Sequence, residues 1–163
     1  MSVKAREYSV KDLVGDTMQE GHLRRFDIFI NYMAIENHYG KNECGWRLYE
    51  KYEKGSGRNP LNSKNKFIGL INSFEENGFL KRYPLLISAK GFLHVRNGAH
   101  RLASAMYFGC DSVTGRIKNC NAMSRLTNVN SALLLKRRFE KDEIKIIRSK
   151  QKQIFKEMRI DNE

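Results

Sequence analysis

The chain has 163 residues, 40% of them hydrophobic and 10% aromatic, and a formal net charge of +12. That length and composition suit one folded domain with a genuine core and exclude an intrinsically disordered chain. No apolar run approaches the roughly 20 residues that span a bilayer, and Cys44, Cys110 and Cys120 stand at no metal-ligand spacing.

An odd cysteine count and no visible signal peptide lead to the expectation of a reducing cytoplasm. The excess of positive charge points to phosphorylated or polyanionic ligands, or to a solvated basic surface. Near the start, Tyr8–Val14 fits a short strand and a turn of helix equally well. The spacing of Phe26, Phe29, Ile30 and Met33 then predicts a helix over Phe26–Tyr39, stopped by Gly40. Asp27, Asn31 and His38 share another face of that helix and are expected to meet solvent. Glu36 instead projects from the apolar side, three residues after Met33 and seven after Phe29. A carboxylate there is paired or has a raised pKa, so it is an ion pair at the rim of the core or a catalytic base.

Asn42 is placed to cap a second helix, Glu43–Lys54. Its stripe of Trp46, Tyr49 and Tyr52 serves either the core or base stacking. Gly55–Pro60 is a loop by composition, and Gly55 and Gly57 could contact a ligand, although no GxxxxGK[ST] phosphate loop is present. A third helix, Lys64–Asn77, opens at Asn62 or Ser63, carries Phe67, Ile68, Ile71 and Phe74 on its apolar face, and stops at Gly78. Tyr83-Pro84 breaks the chain, and Leu85–Ile87 and Phe92–Val95 form a hairpin.

The stretch that follows carries the clearest chemistry. After the strand Phe92–Val95 comes a polar turn, Arg96–Arg101, then a helix, Leu102–Phe108, stopped by Gly109. A strand that passes through Asn-Gly into a helix start gathers backbone N–H groups, and here His100 and Arg101 stand beside them. That is the chemistry of an anion site, most often a phosphate site. Asp111–Ile117 reads as a further strand, and Lys118–Asn130 as irregular. One helix runs from Asn130-Ser131 through Lys136, and a long one covers Asp142–Arg159, with Ile144, Ile147, Ile154 and Met158 as a narrow stripe. Between Lys136 and Arg159 there are ten Lys/Arg against four Asp/Glu. This basic segment is either a solvated helix pair or a nucleic-acid surface. The expected division is an α+β domain over 1–130 and a basic C-terminal helical extension over 131–163 packed on it.

The run Asn97-Gly98-Ala99-His100-Arg101-Leu102, followed by Ala103, Ala105 and Gly109, resembles the central signature of the ParB/sulfiredoxin-like superfamily. That signature is a strand, then Asp-Gly-x-His-Arg, then a small-residue helix ending in Gly. The likeness spans about Pro84–Ile117. It implies a small mixed sheet with packed helices, and nucleotide phosphates held at the turn by Asn97, Gly98, Ala99, His100 and Arg101. Sulfiredoxins place a reactive cysteine where this chain has Ala99, so sulfinic acid repair is not expected. Partition proteins carry a Gly-Glu-Arg-Arg turn and a helix-turn-helix domain, for which the segment after Ile117 is too short; the basic helix still keeps DNA as a partner.

The branch closest in motif is the small-molecule kinases, such as the free-serine kinases. They imply ATP (or CTP) with Mg²⁺, a catalytic glutamate upstream, and a small polar acceptor such as an amino acid or a sugar. On that resemblance Glu36 takes the acceptor proton, His100 binds phosphate or acts as an acid, and Arg101 neutralises the transferred group. Mg²⁺ would be carried on the phosphates, with no direct protein ligand. Asn97 stands where the pattern has Asp and so positions rather than ligates. The combination of the run Arg24–Asn42, the helix with Trp46 and Leu48-Tyr49, and Asn97–Ala103 also looks like stand-alone ParB-like proteins found among bacterial surface-glycan genes. Two other expectations stand beside the kinase: a DNA-binding module without chemistry, and a nucleotide-binding regulator without turnover.

Overall fold

The computed structural model describes residues 4–17, 26–89, 93–118 and 131–161. In chain order its elements are β1 (Arg6–Ser9), α1 (Val10–Thr17), α2 (Asp27–His38), α3 (Gly45–Gly55), α4 (Pro60–Asn77), β2 (Leu85–Ala89) and β3 (Leu93–Asn97). They continue with α5 (Ala99–Tyr107), β4 (Ser112–Ile117), α6 (Ser131–Arg138) and α7 (Lys141–Met158). The ambiguous stretch Tyr8–Val14 holds both candidates, since β1 runs directly into α1.

The sheet has the order β1-β4-β2-β3. The β2–β3 hairpin and the β1–β4 pair are antiparallel, and β2 joins β4 in parallel. The architecture is therefore α+β with a small mixed sheet, in line with the expected fold class. The β2–β3 register shifts between Leu86 and Ile87, where Leu86 pairs with Asn97. Such an irregularity bends the strand and re-aims the residues at its end.

Helix α2 is the hub of the core. Ile28, Phe29, Ile30, Met33, Ala34 and Ile35 are all fully buried. A Cβ on Gly45 would lie 1.9 Å from the Met33 carbonyl oxygen, so glycine alone lets α3 press against α2. Helix α5 meets α2 through Tyr32 and Tyr107, whose ring centres are 5.6 Å apart. Helix α7 meets it through Phe29 and Phe155, 6.0 Å apart. This enclosure corrects one expectation: Asp27 and Asn31 do not face solvent but are 8% and 1% exposed. A two-faced reading of periodicity fails for a helix that is packed all round.

Helix α4 begins a turn earlier than the expected Lys64. Asn59 Oδ1 accepts from the Asn62 N–H at 3.1 Å, and Pro60 takes the first helical position, where its missing N–H does no harm. At the C-terminal end, α6 extends past Lys136 to Arg138, and a reciprocal Glu140–Glu143 capping box starts α7. On the packed side of this basic segment, Lys150 pairs with Glu36 of α2 at 2.9 Å, and Glu143 pairs with Lys51 of α3 at 2.5 Å. Most of the irregular stretch Lys118–Asn130 lies outside the described residues. Among the described residues, no helix is long and apolar enough to cross a membrane.

Candidate phosphate site at the start of α5

The site begins with one backbone conformation. Gly98 has φ 115° and ψ 25°, a left-handed geometry that turns β3 directly into α5. The helix therefore starts at Ala99, and His100 and Arg101 belong to its first turn rather than to a loop. Leu102 N–H makes the first intrahelical bond, to the Gly98 carbonyl at 2.8 Å, and the N–H groups ahead of it open toward the helix end. A Cβ on Gly98 would strike Leu85 Cδ2 at 2.3 Å and sit 3.2 Å from Arg101 Nη2. The glycine is thus required both by its φ and by the packing that seats the arginine.

Arg101 is half-buried. Its Nη1 donates to the carbonyl oxygens of Tyr83 and of Pro84, the latter at 3.3 Å. No carboxylate pairs with it among the described residues. Burial alone pulls its pKa down from the ordinary arginine value. His100 lies between aromatic rings, with its ring centre 4.6 Å from Phe67 and 5.7 Å from Tyr49. Its Nε2 is 2.9 Å from the Tyr49 hydroxyl, the donor depending on the tautomer. Burial first, then the Glu53 carboxylate, raises the Tyr49 pKa, so the phenol keeps its proton.

These groups line a cleft of about 400 Å³ between α3, α4 and the β3–α5 turn. Asn97, Gly98, His100 and Arg101 form one wall, and Tyr49, Glu53, Arg58, Ser63, Lys66 and Phe67 much of the rest. Glu53 is 2% exposed. It accepts from Arg58 Nε, from Arg58 Nη2 at 3.1 Å and from Ser63 Oγ at 2.9 Å. Burial would raise its pKa, but the bonds from Arg58 and Ser63 and the charges of Arg58 and His100 outweigh that and hold it below the ordinary value. Asp27, on α2, is near enough to help raise the Arg58 pKa, an effect led by the hydrogen bond to Glu53.

Of the residues expected at the site, Asn97, Gly98, His100 and Arg101 come together around this cleft, with Ala99 buried at the helix start. Glu36 is not among the residues that line it. Its two carboxylate oxygens lie 2.9 and 3.1 Å from Lys150 Nζ, and Asn42 Nδ2 donates to it at 3.4 Å. Its apolar-side position is therefore satisfied by an ion pair that docks α7 on α2. Glu53, Arg58, Ser63 and Lys66 are cleft residues to which sequence reasoning assigns no site role, and Tyr49, read there as core or a stacking ring, joins them. Arg58 stands in the loop of Gly55 and Gly57, and Ser63 reads only as a helix start. Among the described residues, no three His, Cys, Asp or Glu converge as a metal site. Comparison with known proteins adds no assignment: no family model, no curated protein and no solved structure matches the chain.

Proposed function

We propose that this cleft binds the phosphate groups of a nucleoside triphosphate at the start of α5 and transfers the terminal phosphoryl group to a small polar acceptor. The observation that carries the proposal is Arg101. A half-buried guanidinium in a cleft wall, held by two backbone carbonyls and with no carboxylate partner among the described residues, is a positive charge in want of an anion. It stands at a helix N-terminus, where the peptide dipoles also favour negative charge.

Phosphoryl transfer needs little covalent help from the protein; positioning and neutralisation of the equatorial oxygens do most of the work. Arg101, Lys66 and the outer edge of Arg58 supply that charge, and Asn97 orients. The acceptor oxygen attacks the terminal phosphorus as the bond to the bridging oxygen breaks, and the diphosphate leaves. His100 supplies the imidazole of the lining, and in this proposal it takes the acceptor's hydroxyl proton as the new bond to phosphorus forms. Glu53 is committed to Arg58 and Ser63, so a magnesium ion would be carried on the nucleotide's own phosphates, where it adds charge neutralisation. A cleft near the small end of ligand sites suits a sugar or an amino acid rather than a polymer.

The ParB/sulfiredoxin-like signature at Asn97–Leu102 supports the same reading, and the fold belongs to that type under this proposal. One observation favours a second reading, nucleotide binding without turnover. Both carboxylates nearest in role to a base are already engaged, Glu36 by Lys150 and Glu53 by Arg58 and Ser63. Calorimetry with Mg²⁺-ATP, followed by a diphosphate-release assay over a panel of sugars and amino acids, separates the two. Heat with product supports transfer, heat without product supports the regulator, and no heat at millimolar ATP overturns both.

A further inference from the structure

The outer face of α7 takes no part in the cleft and carries a second pattern. At about 100° per residue, Lys141, Lys145, Arg148, Lys152 and Lys156 fall on one stripe, with spacings of four, three, four and four residues. Arg159 continues the stripe at the C-cap. All six are exposed. The opposite side of the helix is the packed one, where Glu143, Ile147 and Ile154 are buried and Lys150 meets Glu36.

No acid lies within the stripe. The acids of α7 are Asp142, which borders its N-terminal end, Glu143, which pairs with Lys51, and Glu157, which accepts from Gln153. Among the described residues, none of the six cations is in an ion pair. The result is an unneutralised row of charge roughly 27 Å long, from the 1.5 Å rise of each residue.

We propose that this face of α7 docks the phosphodiester backbone of a nucleic-acid duplex. The surface offers evenly spaced point charges and nothing else. A membrane-binding helix needs an apolar face to insert, and the apolar side of α7 is already used against α2. Single strands are held by aromatic side chains on which bases stack, and the stripe has none. Protein interfaces bury an apolar centre, which the stripe also lacks. Four lysines and two arginines on one straight face engage phosphates rather than base edges, so binding is insensitive to sequence.

The test uses the full chain and a short labelled DNA duplex, with anisotropy read at 50 and 200 mM salt. With up to six phosphates neutralised, affinity falls by about two-thousand-fold between those concentrations. The triple variant K145Q/R148Q/K152Q binds at least about tenfold more weakly at 50 mM and loses only about 40-fold over the same range, because three fewer counterions are released. The control K4Q/K11Q/K81Q, three exposed lysines elsewhere, removes the same charge and retains native binding. Equal loss in both triples would show that net charge alone is responsible and overturn the proposal. No binding at 50 mM would overturn it as well. Retention on phosphatidylserine vesicles without retention on the duplex would overturn it in favour of a membrane surface.

Discussion

Replacing Arg101 with methionine isolates the charge on which the proposed function rests. Methionine keeps an unbranched stem for the packing against Gly98 and Leu85 and removes the guanidinium. In the folded protein without ligand, the variant gives up two bonds to backbone carbonyls, at Tyr83 and Pro84. No carboxylate is stranded, and Tyr83 is more than half exposed, so water replaces part of what is lost. The stability loss is therefore about 1–2 kcal/mol. A charged hydrogen bond to phosphate in a half-buried wall contributes about 1.5–3 kcal/mol, so nucleotide affinity falls roughly 10- to 100-fold. Arg101→Lys keeps the charge without the planar fork and loses less. Calorimetry with Mg²⁺-ATP measures the binding, and urea unfolding measures the stability. Native affinity in a folded Arg101→Met protein would refute the assignment of phosphate to this wall.

Three further outcomes follow from the same geometry. Gly98→Ala forces a side chain onto φ 115° and places its Cβ 2.3 Å from the fully buried Leu85; unfolding stability drops by about 2–4 kcal/mol, and a change under 0.5 kcal/mol would show the turn to be looser than described. Glu53 has a pKa below its ordinary value of 4.5 in the folded state, so its stabilising effect is complete above that value and lost as pH falls through the depressed one. Glu53→Gln loses about 1–2 kcal/mol at pH 7, discounted because Arg58 is largely exposed, and its acid unfolding curve is shallower than the native one; an unchanged curve would contradict the Arg58–Ser63 clamp. Glu36→Gln leaves Lys150 without its counterion in a partly buried setting, so stability drops by about 1–3 kcal/mol while nucleotide affinity and turnover stay within about twofold. A tenfold loss of turnover without loss of stability would restore Glu36 as the base.

What the sequence made legible follows local physics. Phe26, Phe29, Ile30 and Met33 announced α2, and Gly40 and Gly78 both adopt the positive φ expected where helices stop. The hairpin, the Asn-Gly turn and the helix after it were readable because each depends on neighbours a few residues away. The cleft was not, because its far wall comes from the α3–α4 hairpin some forty residues upstream. Glu53 looked like any charged residue of an amphipathic helix; only the fold brings Arg58, Ser63 and His100 around it. Tyr49 looked like core, and its ring is core, but its hydroxyl reaches His100. Asp27 and Asn31 were misplaced because helical periodicity cannot tell a polar surface from a polar residue enclosed by three other helices. Glu36 was correctly singled out as a carboxylate on an apolar side, and the partner that explains it, Lys150, lies 114 residues away.

The most direct test of the central claim is an amide NMR titration of the ¹⁵N-labelled protein with Mg²⁺-ATP and, separately, with inorganic pyrophosphate. Phosphates bound at the start of α5 shift the N–H resonances of Gly98, Ala99, His100 and Arg101 with both ligands, while those of Glu36 and Lys150 stay in place. Shifts confined to α7, or no shift at Gly98–Arg101 at millimolar ligand, would contradict the account.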